Sequence, residues 1–92
     1  MALKKFIKDP DAVLDYTIDW AKWLEPAGDT ISNATATATG NLSVDSVSHT
    51  TTTTTVWLSG GDVDTVHEVT VHIETNGGRE DDRTIQIAVK EL

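Results

Sequence analysis

Residues 50–58 read Thr50-Thr51-Thr52-Thr53-Thr54-Thr55-Val56-Trp57-Leu58, six threonines in a row closing on three apolar side chains. Threonine is β-branched, so its χ1 is restricted in helices and it packs well on a pleated surface. A mucin-like stalk of this composition carries Pro among its Thr and Ser, and this run has none. Flanked by Val47 on one side and Val56-Trp57-Leu58 on the other, the run reads as a two-faced strand with one row of hydroxyls in water. A glycosylated or disordered tract is the competing reading.

Working outward, the same extended character recurs. Leu14, Tyr16, Ile18 and Trp20 alternate with Asp15, Thr17 and Asp19, a period of two that marks a half-buried strand. Asp11 to Leu24 is the best stretch for a helix, and its centre fits period two at least as well. Asp9-Pro10-Asp11 ahead of it is a turn or lead-in. Ala34, Ala36 and Ala38 alternate with Thr35, Thr37 and Thr39, while Ile31 is out of phase with them. That mismatch predicts a bulge near Ser32 or Asn33. Gly40-Asn41 turns the chain into a short strand at Leu42 and Val44. The threonine run through Leu58 follows as a strand and stops at Ser59-Gly60-Gly61. Val69, Val71 and Ile73 alternate with polar residues, as do Ile85, Ile87 and Val89. Asn76-Gly77-Gly78 between those two sets is a hairpin turn.

Short strands with one apolar face each, punctuated by turn residues, bury those faces by packing two sheets together. The expected fold is all-β: an immunoglobulin- or fibronectin type III-like sandwich of about seven antiparallel strands. The longer excursion from Trp23 to Asp29 favours a sandwich over a closed barrel, since such excursions carry the chain between sheets. At 92 residues the chain has room for one domain, 1–92, with residues 1–10 as an N-terminal arm.

Composition narrows the function. A chain this short buries about 60–65% of its unfolded surface, which leaves little mass for an enclosed active site. The absence of Cys excludes disulfides, thiolate metal sites and cysteine nucleophiles, and suits a reducing compartment. Nothing approaches the roughly 18 apolar residues of a membrane span. Seven basic residues against fifteen acidic give a net charge of −8, which argues against nucleic acid as a partner.

Candidate chemistry is sparse. His67 and His72 are five apart on one strand, so they face opposite ways and share no metal; His49 stands apart. Asp62 and Asp64, and Glu80, Asp81 and Asp82, carry the acids of a calcium loop without its glycine and closing glutamate, and read as solvated turn charges. Neither a catalytic set nor a metal or cofactor site is expected. The five aromatics say more. Trp20 is in phase with the buried set, and Trp23 follows it as a cap. Trp57 lies between Val56 and Leu58, so either it faces outward as an interaction hot spot or it is core and its neighbours face a covered edge. Phe6 and Ile7 are apolar residues on the expected arm, suited to docking on a neighbour. Phe6, Ile7, Trp23 and Trp57 are thus the candidate interaction residues.

Several segments in order also resemble a known group. Lys8-Asp9-Pro10-Asp11-Ala12-Val13-Leu14-Asp15-Tyr16, Asp19-Trp20, Trp23-Leu24, Gly28-Asp29-Thr30-Ile31, Trp57-Leu58-Ser59-Gly60-Gly61 and Gly78-Arg79 look like the pattern of short bacteriophage and prophage virion proteins. These are fiber–tail adaptor or tail-associated structural proteins of immunoglobulin-like fold, and the resemblance spans roughly residues 8 to 90. His67 stands where the family pattern has an aromatic, and the threonine run is longer than usual. The resemblance implies a non-enzymatic virion component, assembled in the bacterial host cytoplasm. Its partners would be other tail proteins and further copies of itself, with neither nucleic acid nor membrane among them. The alternative is a carbohydrate-binding or adhesion module in which Trp57 or Trp23 stacks on a sugar ring.

Overall fold

The computed structural model describes residues 4–91. It is all-β apart from one short helical segment. Seven strands run in the order β1 (Lys4–Lys8), β2 (Leu14–Asp19), β3 (Ile31–Ala38), β4 (Leu42–His49), β5 (Thr53–Gly60), β6 (Thr65–Thr75) and β7 (Glu80–Val89). They form two sheets, a four-stranded one ordered β1-β7-β6-β3 and a three-stranded one ordered β2-β5-β4.

The alternating residues meet between the sheets. Val56 and Leu58 from β5, Val69, Val71 and Ile73 from β6, and Ile87 and Val89 from β7 are fully buried, and Trp20 and Leu24 close one end. Each such side chain contributes on the order of 1.5–3 kcal/mol through burial. The small residues Ala34, Ala36 and Ala38 pack against this core from β3. The anticipated bulge is present, as a register shift between Ile31 and Asn33 against β6. The Asn76-Gly77-Gly78 turn joins β6 to β7, with Gly78 at φ +85°.

Four features differ from the sequence reading. Residues 4–8 of the expected arm are a strand, paired in parallel with β7 from Lys4–Ile85 to Lys8–Val89. The sandwich is therefore not wholly antiparallel. Phe6 and Lys8 face inward while Lys4 on the same parity is exposed, and the lysines disguise the alternation. Lys8 is fully buried, its ammonium donating to the carbonyls of Gly60 (2.8 Å) and Asp9 (2.9 Å).

The threonine run splits. Thr50, Thr51 and Thr52 form the β4–β5 turn, and β5 begins at Thr53. Thr50 Oγ1 accepts the amide of Thr53 at 3.0 Å, and the Thr50 amide donates to the Thr53 carbonyl at 2.9 Å. A hydroxyl that satisfies nearby amides lets the chain leave the ladder.

The strand at Leu42 is eight residues long, because a bulge between Val44 and Ser46 lets it continue to His49. Finally, α1 (Ala21–Leu24) and a single 3₁₀ turn (Glu25–Ala27) follow β2 where no helix is expected. Asp19 Oδ1 accepts the Ala21 amide at 2.9 Å and starts the turn.

Candidate functional site

Both outer sheet faces bear chemistry that packing does not explain. On the three-stranded sheet, Val56 and Leu58 point inward with no exposure and Trp57 points out, 41% exposed. The indole lies in register between Asp15 of β2 and Ser46 of β4. Hydroxyls and carboxylates surround it: Ser59 Oγ donates to Asp45 Oδ1 at 2.9 Å, and the Thr17 and Thr55 hydroxyls meet at 3.0 Å. Of the two orientations open from the sequence, the outward one is therefore the one adopted.

The other candidate residues do not join it. Ile7 is 60% exposed on the outer face of the four-stranded sheet, in the row Ile7–Ala88–Val66. Phe6 is half-buried against Tyr16, with ring centroids 4.8 Å apart. Trp23 is half-buried, edge-on to Trp20 at 6.1 Å and covered by the Arg79 guanidinium at 4.1 Å. Two of the four are thus folded into the protein, and two stand on opposite outer faces.

Between the sheets, along β1, β2 and β7, runs a groove of about 550 Å³ lined by Phe6, Tyr16, Ile18, Arg83 and Ile85 among others. The Tyr16 hydroxyl and Arg83 Nε are buried beside it without hydrogen-bond partners. Burial pushes the Tyr16 phenol upward from its ordinary pKa, helped by the charge of Asp15.

The histidines divide as their spacing requires. His67 is buried and accepts the Asp62 amide at Nε2, 3.0 Å away. His72 faces out from β6, and His49 is exposed. What single-strand periodicity did not reveal is what faces His72. The β6–β7 register pairs His72 with Asp82 and Glu74 with Glu80, all on one face. His72 Nδ1 lies 2.5 Å from Asp82 Oδ1, and Nε2 lies 2.9 Å from Glu80 Oε1. The Asp82 contact first, then Glu80, raises the imidazole pKa from its ordinary value. The only signal in the sequence is the turn at residues 76–78, from which the cross-strand register can be counted. Asp62 accepts from Asn41 Nδ2 at 2.9 Å, and Asp64 lies 3.8 Å from Lys90.

The hairpin turn itself is held by Asp29, whose side chain is 7% exposed. Asp29 accepts the amides of Thr30 and Gly77, both at 2.9 Å, and Arg79 Nε at 3.2 Å. The Thr75 hydroxyl, those amides and the guanidinium lower its carboxyl to a pKa of about 2.

The chain is thus an all-β sandwich with Trp57 and the His72 cluster on its outer sheet faces. Over residues 8–88 the sequence matches the family described as podophage GP4 fiber-tail adaptor protein gp77, and the chain belongs to that family. It is thereby a structural phage tail protein and a virion component, and membership implies contact with other tail and fiber proteins. No curated protein matches the chain significantly.

Proposed function

We propose that this chain, acting as one domain over residues 1–92, joins fiber to tail without catalysis, with Trp57 as the anchor of its binding face. The observation that carries the reading is the orientation of that indole. A strand with two fully buried aliphatic neighbours presents a large, rigid side chain to solvent in a ring of short polar residues. A central aromatic within a polar surround is the usual composition of an interface hot spot. Open edges add to it, since β1, β2, β3 and β4 each lack a neighbour on one side among the described residues. An edge strand offers a row of unpaired amides and carbonyls to a partner's strand.

Strand order supports the immunoglobulin-like reading. The sets β2-β5-β4 and β3-β6-β7 correspond to the B-E-D and C-F-G sets of immunoglobulin domains, with the first strand moved to the second sheet. Copies arranged about a tail axis would meet through head-to-tail contacts that close into a ring. Phe6 and Trp23, folded into the body, support such contacts by shaping the surface around them.

Size-exclusion chromatography with light scattering tests this, on the purified chain alone and mixed with the tail and fiber proteins of the same phage. The expected result is a complex that Trp57→Ala weakens at least tenfold while the variant's thermal melt stays within a few degrees. A chain that stays monomeric and binds none of them, or a complex indifferent to Trp57→Ala, overturns the reading. The polar surround of Trp57 also suits a sugar ring. A glycan array that gives a signal lost in Trp57→Ala, with no tail-protein complex, would establish that second reading instead.

A further inference from the structure

We propose that the outer face of the β6–β7 hairpin is a binding site for a divalent transition-metal ion, held by the His72 imidazole and the Glu74 and Glu80 carboxylates. Asp82 acts as the positioning residue for the ring. The site lies on the four-stranded sheet, across the sandwich from Trp57, and does not depend on the adaptor reading.

Three donors converge. One ligand atom each from His72, Glu74 and Glu80 lies within 4.8 Å of the others. His72 Nε2 and Glu80 Oε1 are already 2.9 Å apart. Bonds of about 2.0–2.2 Å to zinc set neighbouring ligand atoms a little over 3 Å apart, so small side-chain rotations complete the set. An open position then remains on the solvent side for water or another group.

The surroundings of the second ring nitrogen agree with this arrangement. Metal-bound histidines almost always present their second nitrogen to a carboxylate or carbonyl, which fixes ring and tautomer. Asp82 stands in that place, 2.5 Å from Nδ1, leaving Nε2 directed at the carboxylates.

Charge points the same way. Glu74 and Glu80 are direct cross-strand partners, an arrangement that repels. The two nearest cations in sequence are turned elsewhere. Arg79 is bound to Asp29 and covers Trp23, and Arg83 stacks on Trp20 at 4.3 Å and donates to the Asp19 carbonyl. Three carboxylates thus share one imidazole, and the face stays net negative even with that ring protonated. The imidazole nitrogen selects zinc or a similar borderline ion over calcium, which takes oxygen ligands.

The test uses the full chain, stripped with a chelator and titrated with zinc by calorimetry, and with cobalt(II) followed by its visible absorption. One equivalent per chain is expected, with zinc shifting the His72 ring resonances in proton NMR and not those of His67. His72→Gln and Glu80→Gln should each weaken zinc about tenfold or more, and Asp82→Asn should fall in the 10–100-fold range seen for supporting carboxylates. Glu68→Gln, on the same face one turn of the pleat beyond Thr70, should leave affinity unchanged. All these side chains are on the outer face, and a thermal melt of each variant verifies its folding. Absence of saturable binding, binding unchanged by His72→Gln, or wild-type NMR shifts that spare His72 would each overturn the proposal.

Discussion

The indole nitrogen of Trp20 donates to the hydroxyl of Thr54 at 3.1 Å, and both residues are buried. Thr54 is the one threonine of the run from Thr50 to Thr55 whose side chain enters the core. It receives the polar atom of the largest residue there. Trp20 directly follows β2 and Thr54 lies in β5, so the bond also fastens the start of the helical segment to the three-stranded sheet.

Thr54→Val keeps the shape of the side chain and removes the acceptor. The buried N–H is left unpaired, at a cost of about 1–3 kcal/mol. Thr54→Ser keeps the bond and loses one methyl, so it should destabilise less. Urea unfolding of both variants checks the order, and a more stable Val variant would refute it.

Asp29 gives the fold an acid-sensitive joint. Its carboxyl sits at about pH 2 in the folded protein, below the ordinary 3.8. A depressed folded pKa stabilises above the unfolded value, and that contribution disappears as pH falls from about 4 through 2. Asp29→Asn should therefore melt at a lower temperature at pH 7, and its melting temperature should depend less on pH between 4 and 2. Melts in steps of half a pH unit measure both effects.

Two turn glycines with nearly the same φ should respond differently. Gly28 and Gly40 both have φ near +60°, so alanine at either costs about 1–2 kcal/mol. At Gly28 a Cβ meets open space, while at Gly40 it would lie 2.7 Å from Cε1 of the buried His67 ring. Gly40→Ala should add roughly 1–3 kcal/mol of overpacking to the backbone strain. Equal losses in the two variants, by chemical denaturation, would count against this account of His67.

Lys8 holds β1 to the end of β5, and so ties one sheet to the other. Lys8→Ala empties a fully buried position and takes the ammonium from the Gly60 carbonyl, for an expected loss of about 2–4 kcal/mol. Lys5→Ala, three residues upstream with an exposed side chain, should stay within about 0.5 kcal/mol of wild type. A differential scanning calorimetry comparison of the pair separates the two cases.

Alternation of aliphatic and hydroxyl residues determined, without any coordinates, that the chain is built mainly of extended segments, that β3 carries a bulge and that residues 76–78 turn. Period two is a local property, written in neighbours two apart. It failed at Lys4–Lys8, where a long lysine stem occupies an inward position, and at Thr50–Thr52, where a hydroxyl competes with the ladder for amides. Only the tertiary structure decided which way Trp57 faces, because Val56 and Leu58 could be placed inside only once a second sheet covered them. The same holds for His72 and its carboxylates. Their side chains come together through strand register, a relation between residues eight to ten positions apart that no single strand contains.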